Sequence, residues 1–288
     1  MSNLRECHDN GAFTRRREAG LQMGLLKLNG HEGDRQVVDP AVVRSGSLLC
    51  FDQLDYEAAW DLQHQLVEER RADRRPDTLV LVEHPPTYTI GRSGRDGHWG
   101  GDEHVLRQTG YPVYRVERGG SITYHGPGQI VGYPILQLKQ FCSGPKEYIR
   151  LLEQVLIRTL AHYGLAAFRL NKLPGVWVNG NPPEKIAAMG VRIQRGITMH
   201  GFALNVAVDV SPFGRIVPCG IPACRVTSMA ACLGGSVDVS SVRQQIAAVF
   251  GEVFGLEWIH SSPSLPNLTR PVESAAALDD VASTLSQG

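Results

Sequence analysis

The chain is 288 residues long, 42% hydrophobic and 20% charged, enough to bury a sizeable core in one large domain or two moderate ones. Lys plus Arg and Asp plus Glu balance at 29 each, so the net charge is zero, which argues against a polyanion-binding surface and against nucleic acid as a partner. No apolar run reaches the ~18 residues of a membrane span.

Residues 1–45 carry no sustained period and read as a mobile extension. Its first 20 residues mix Arg15, Arg16 and Arg17 with Glu6, Asp9 and Glu18 and contain no apolar h-region, so they do not read as a secretory signal. Residues 46–258 form one domain with no linker and no internal repeat. A strand is predicted at Ser47–Phe51, then a helix at Leu54–Arg71 with Leu54, Ala58, Leu62 and Leu66 on one face and Asp52 as its cap. Thr78–Glu83 reads as a buried strand running into His84-Pro85-Pro86-Thr87-Tyr88, where two prolines forbid regular structure. A glycine–arginine loop, Gly91–Gly101, and a strand at Val113–Glu117 precede the densest polar stretch, Arg118–Gln129. That stretch carries Gly119, Gly120, Gly126 and Gly128 beside Arg118, Ser121, Thr123, Tyr124 and His125, a combination suited to a binding wall or to a plain glycine-rich hairpin.

Gln129–Leu138 leaves it as a strand, and Lys146–Tyr163 is an amphipathic helix with Tyr148, Leu151, Leu152, Val155, Leu156 and Leu160 on its apolar face. Strands follow at Val176–Val178, Lys185–Ile193 and Ile197–Val206, the last two joined by a tight turn at Arg195-Gly196. Ser211–Cys224 is irregular, Val239–Phe254 is a closing helix, and 259–288, rich in Ser, Pro and Ala, reads as a disordered tail. Hairpin strands mixed with helices, without βαβ alternation, give an α+β class: a mixed or antiparallel sheet flanked by helices.

The cysteines, at 7, 50, 142, 219, 224 and 232, are too sparse for a disulfide framework and lack CxxC spacing for zinc, so a reduced, cytoplasmic chain is expected. Cys50 and Cys232 sit in apolar or alanine-rich contexts and read as core. Cys219, bracketed by Pro218 and Pro222 and followed by Gly220, lies in shaped, irregular backbone. It is a candidate nucleophile, which needs a nearby cation to favour the thiolate. Lys185 heads a small apolar strand and either faces a partly dry site or stands solvated at the strand end. His84, His125 and His200 each adjoin Pro or Gly and read singly as hydrogen-bonded structural histidines. No GxxxxGK[ST] phosphate loop is present, and Gly91-Arg92-Ser93-Gly94-Arg95 is only a weak nucleotide signal.

Several separate words of the chain nevertheless belong together. Arg118-Gly-Gly-Ser-Ile-Thr-Tyr-His125-Gly-Pro-Gly-Gln129-Ile-Val-Gly-Tyr-Pro134, Val82-Glu-His84-Pro-Pro-Thr-Tyr88, Pro174-Gly-Val-Trp177, Lys185-Ile-Ala-Ala-Met-Gly190, His200-Gly-Phe-Ala-Leu-Asn205 and Pro218-Cys219-Gly220 followed by Val226-Thr-Ser228 resemble, in content and order, the octanoyltransferases of lipoate biosynthesis (the LipB family). The likeness spans roughly residues 48–255, and its one departure is the insertion-like Asn179-Gly-Asn-Pro-Pro183. It implies a fold similar to the catalytic domain of biotin and lipoate protein ligases, with 46–258 as a catalytic acyltransferase domain.

It also implies an octanoyl-[acyl carrier protein]:protein N-octanoyltransferase, acting through a cysteine acyl-thioester in the first step of endogenous protein lipoylation. The donor is octanoyl-acyl carrier protein. The acceptors are lipoyl domains of 2-oxoacid dehydrogenase complexes and the glycine cleavage H protein. By motif match Cys219 is the nucleophile and Lys185 its proton partner. Arg118, Gly119, Gly120, Ser121, Ile122, Thr123, Tyr124, His125, Ala188, Met189, Gly190, Gly201, Phe202 and Ala203 line the substrate pocket. Ala187 is a further candidate for the acyl slot, and no metal or cofactor is implied. Oxyanion donors are expected near Cys219-Gly220 or in the Gly119-Gly120 turn. Arg92, Arg95, Arg118, Arg192 and Arg195 are a candidate dock for an acidic carrier protein. The rival readings are an ATP-dependent lipoate or biotin ligase on the same fold and a non-catalytic binder of acyl carrier protein or lipoyl domains.

Overall fold

The computed structural model describes residues 43–259, so the expected extension and tail lie outside it except for their innermost few residues. The elements run β1 Arg44–Phe51, α1 Tyr56–Arg71, β2 Asp77–Val82, β3 Thr87–Ile90, α2 Glu103–Arg107, β4 Val113–Arg115, β5 Ile122–His125, β6 Gln129–Ile135 and α3 Pro145–His162. They continue β7 Ala167–Leu170, β8 Leu173–Val178, β9 Glu184–Gln194, β10 Ile197–Asn205, β11 Arg225–Val226, α4 Met229–Leu233, α5 Val239–Phe254 and β12 Leu256–Ile259. The main sheet has the order β12-β1-β2-β6-β10-β9-β8-β7 with β11 beside β9, and a smaller sheet has the order β4-β3-β5. β1 runs parallel to β2 and β12, whereas β2–β6, β6–β10, β10–β9, β9–β8 and β8–β7 are antiparallel. The sheet is therefore mixed and helix-flanked, as expected.

Strand alternation divides the core in two. Leu79 and Leu81 of β2 pack with α3 and α5 residues such as Leu152, Leu156, Ile246 and Phe250, while Val80 and Val82 pack with Leu62 and Leu66 of α1. With both faces covered, β2 is buried at every position, which is why Leu79–Val82 is a continuous apolar run. A third cluster, with Tyr88, Trp99, Tyr124 and Phe213, fills the small sheet.

Local signals account for most boundaries. Asp238 caps α5 by accepting from Ser240 N and Ser241 N at 3.1 Å each, and Gly255 ends that helix at φ 63°. Arg195 and Gly196, at φ 51° and 86°, form the tight turn between β9 and β10, both in the left-handed region that hairpins favour. Asp52, however, does not cap α1. Asp55 holds the cap position without a side-chain bond, and the Asp52 carboxylate accepts from Arg243 of α5 at 3.0 Å. Thr87 and Tyr88 are not irregular either: the chain leaves the prolines directly into β3, which pairs with both β4 and β5. The elements without a sequence counterpart, β3, α2, β5, β7, β11, α4 and β12, are two to five residues long, too short to display a period.

Candidate active site

The glycine-rich stretch turns inward at Arg118. Its guanidinium is buried, donating to the Thr89 carbonyl at 2.6 Å, the Thr89 hydroxyl at 2.8 Å and the Gly119 carbonyl at 3.0 Å. Glycines make the room. A Cβ on Gly91 would stand 2.8 Å from the Arg118 Nη1, and one on Gly190 would stand 2.9 Å from its Cδ. The paired motifs thus house an arginine side chain as much as they approach a ligand. Arg118 Nε has no partner among the described residues, and burial pulls the guanidinium's pKa down from its ordinary value.

A cavity of about 290 Å³ opens beside this arginine, at the small end for ligand sites. Arg118, Gly119, Gly120, Ser121, Ile122, Thr123 and His125 form one wall, and Ala188, Met189 and Gly190 of β9 with Gly201, Phe202 and Ala203 of β10 form another. Lys185 and Cys219 stand in the same lining. Two expected members are elsewhere. Tyr124 points away from Thr123 and His125 into the small-sheet core, its ring 5.5 Å from Tyr88 and 5.6 Å from Phe213, because successive strand residues face opposite sides; Ile122, at the head of β5, touches both that core and the cavity. Ala187 packs into the α3/α5 core. Conversely, Tyr56 of α1 and Val131 and Tyr133 of β6 also line the cavity. The β6 pair carried a usable signal, since Val131 and Tyr133 alternate with Ile130 and Gly132 in a strand pattern; Tyr56 carried none.

Lys185 Nζ donates to Cys219 Sγ at 3.3 Å, joining residues 34 positions apart in sequence. Lys185 is 3% exposed, which excludes the solvated strand end. Its Nζ lies 5.0 Å from the centre of the Trp177 ring. Beneath it, Gly175 at φ 129° leaves no space for a side chain: a Cβ would stand 2.8 Å from Lys185 Cε and 2.7 Å from the Ala187 carbonyl oxygen. The Gly175 N–H is in turn held by the buried Glu153 carboxylate of α3 at 2.9 Å, and that carboxylate also accepts from Arg169 at 3.0 Å. The lysine therefore sits in a cell built by β8 and α3. Cys219 lies in a short 3-10 turn, Pro218–Gly220, at φ 58° and ψ 12°.

Two of the histidines near the cavity, His84 and His125, are held by hydrogen bonds to backbone and side-chain groups. His84 Nδ1 lies 2.7 Å from the Leu54 carbonyl oxygen and must donate to it, so Nε2 accepts from the Tyr133 hydroxyl at 2.7 Å. Burial lowers the His84 pKa to about 4. His125 donates from Nδ1 to Gln129 Oε1 at 2.7 Å, because the Gln129 amide group donates to the Tyr124 carbonyl and to Asn205. These bonds give His84 and His125 structural work. His200 differs: both ring nitrogens are without partners among the described residues, and burial takes its pKa to about 3.

The other cysteines and the arginine cluster sort out plainly. Cys232 is exposed, not core, because α4 is a short surface helix. Among the described residues no group of three His, Cys, Asp or Glu side chains is placed to hold a metal ion, and no helix is long and apolar enough to cross a membrane. Arg118 is too deeply buried to dock a protein, and Arg192 is ion-paired to Glu117 at 2.6 Å. Arg92, Arg95 and Arg195 remain exposed.

The family model for the lipoyl protein ligase A/B catalytic domain matches residues 55–251. An octanoyltransferase of Rubrobacter xylanophilus is 49% identical over 202 residues, covering 69% of this chain and 89% of that protein. One of Chloroflexus aurantiacus is 47% identical over 216 residues, covering 75% and 96%. Among solved structures, a bi-partite lipoate protein ligase of Thermoplasma acidophilum superposes with a TM-score of 0.57 at 16% identity over 76% of this chain and 87% of that one. A lipoate-protein ligase A bound with ATP gives 0.56 at 17% identity, over 75% and 88%. At such identities the structures speak for the shared fold.

Proposed function

Since the chain belongs to the lipoyl protein ligase A/B catalytic-domain family, as one of its octanoyltransferases, we propose that it moves the octanoyl group through a thioester on Cys219, with Lys185 carrying the proton. The donor in this reading is octanoyl-acyl carrier protein, and the acceptor is a lysine of a lipoyl domain. The observation that carries it is the 3.3 Å contact between Lys185 Nζ and Cys219 Sγ in the lining of the cavity.

The steps balance. Neutral Lys185 takes the thiol proton, and the thiolate attacks the donor's thioester carbonyl. The donor thiolate then leaves and takes the proton back from the Lys185 ammonium. In the second half the acceptor amine attacks the acyl-enzyme, its proton passes to Lys185, and the Cys219 thiolate departs to be reprotonated by the same lysine. Exchange between thioesters is nearly balanced and amide formation is downhill, so no nucleotide is consumed. The cavity's aliphatic members, Ile122, Val131, Ala188, Met189 and Ala203, suit an acyl chain. For the oxyanion, Gly119 N–H and Gly220 N–H are already committed to Val191 O and Val217 O, each at 2.9 Å. Cys219 N–H and Gly120 N–H are therefore the proposed oxyanion donors.

Incubation with octanoyl-acyl carrier protein followed by intact-mass measurement tests the reading. Wild type should gain one octanoyl group and Cys219→Ala none; an adduct surviving in Cys219→Ala overturns the assignment. The ATP-dependent alternative has the ligase-like fold in its favour. It predicts pyrophosphate release from ATP and free octanoate, whereas the transfer mechanism predicts none.

A further inference from the structure

Cys219 at φ 58° is followed by Gly220 at φ 68°. Glycine adopts such a conformation freely, but a cysteine keeps it only where its surroundings over-determine it. The loop's own bonds, Gly220 N–H to Val217 O at 2.9 Å and Ile221 N–H to Pro218 O at 3.1 Å, close the turn without fixing it to the rest of the protein. His98 does that from both sides. Its carbonyl accepts Val217 N–H at 2.7 Å, two residues before the cysteine. Its ring abuts the residue after: a Cβ on Gly220 would stand 2.8 Å from His98 Cε1 and 3.2 Å from Ser121 Cβ. His98 Nδ1 and Ser121 Oγ are 2.6 Å apart, which ties the ring to the cavity wall. Trp99, the next residue, is buried among Tyr88, Ile122 and Tyr124 and anchors the segment.

The geometry points to His98 as a positioning residue: with Ser121 it grips the loop on either side of Cys219 and holds the thiol at Lys185. The ring stands behind Ser121 and Gly220 and is not part of the cavity lining, so it acts on the reaction through the cysteine. The inference rests on the reading of Cys219 as nucleophile. A displacement of about 1 Å at a reacting atom costs on the order of 100-fold in rate, so loosening this grip should appear in the acylation step.

The test compares His98→Ala, His98→Asn, Ser121→Ala and the double variant His98→Ala/Ser121→Ala. The readouts are the rate of acyl-enzyme formation from octanoyl-acyl carrier protein and the rate of Cys219 alkylation by iodoacetamide, the latter located by peptide mass. His98→Ala should lower the maximal acylation rate by on the order of 100-fold with the donor KM within about threefold. Asn places an amide nitrogen near the Nδ1 position, so His98→Asn should recover to within about tenfold of wild type. Because the two residues act as one bridge, the double variant should be no slower than the slower single one. Wild-type acylation in His98→Ala overturns the inference, as do losses that multiply in the double variant. Should His98→Ala fail to fold, as read by its circular dichroism, the Asn and Ser121 variants carry the same test. Alkylation separates the two proposals: an octanoyl adduct on Cys219→Ala removes the nucleophile, whereas Cys219 alkylation slowed in His98→Ala still reports the grip.

Discussion

Gly175 holds its place by sterics on two sides. At φ 129° it lies in a region closed to side chains, and a methyl group there would press on Lys185 Cε and on the Ala187 carbonyl. Gly175→Ala should therefore lose stability by about 1–3 kcal/mol and displace the lysine from the cysteine. The expected result is a lowered Tm together with acylation slowed at least tenfold; a variant with wild-type acylation would show that the lysine's cell is adaptable. At this scale the sequence was informative about identity and silent about cause. Lys185, Cys219 and the glycine words were legible as motifs. That Gly91 and Gly190 accommodate Arg118, and that Gly175 accommodates Lys185, involves residues distant in sequence, so no local pattern records it. Tyr124 failed for a simpler reason: a strand only four residues long, inside a glycine-rich motif, hides its alternation.

Helix α5 shows how far local chemistry reaches. The range expected from the sequence has the observed bounds, Val239–Phe254, because the Asp238 cap and a left-handed Gly255 delimit it at its two ends. Asp238→Ala removes the acceptor of two helix N–H groups, and should cost about 1 kcal/mol with a Tm drop of about 2–4 °C, measured by calorimetry, and acylation unchanged. Helix α1 shows the opposite case. Its Asp52 was the right residue type near a helix start, but Arg243 on α5, also bonded to Glu83 at 2.9 Å, recruits the carboxylate into a bridge between elements. Pairings of that kind compete with caps, and only packing decides between them. Of the short elements, β7 and β12 take their place from neighbouring strands, β7 by pairing with β8 and β12 by extending the edge of β1 in parallel, whereas α2 and α4 start at local caps, Asp102 and Ser228.

Across the whole molecule, the buried histidines couple stability to acid. His84 at about 4 and His200 at about 3 are depressed below the unfolded value of about 6.5, and His125 is depressed as well. Below about pH 6.5 the unfolded chain binds protons that the folded one refuses, so stability present at neutral pH is lost as pH falls toward 4. The limit is about 1.4 kcal/mol per pH unit for each histidine. Urea midpoints should fall steeply between pH 6.5 and 4, and His84→Asn should flatten that slope; an unchanged slope would place the acid sensitivity elsewhere. The sequence by itself determined the class of fold, the long helices and the strands of the sheet's centre, because hydrophobic period and turn chemistry are local. It also named the family, since the motif words lie in one order along the chain. The motif match pairs Cys219 with Lys185, and the tertiary structure supplied their contact; it alone decided that Arg118 turns into the protein and that His98 stands behind the cysteine. Each of these is a contact between segments far apart in sequence, fixed by how β5, β9 and the 3-10 turn pack, and the pattern of one segment carries no record of which other segment will lie against it.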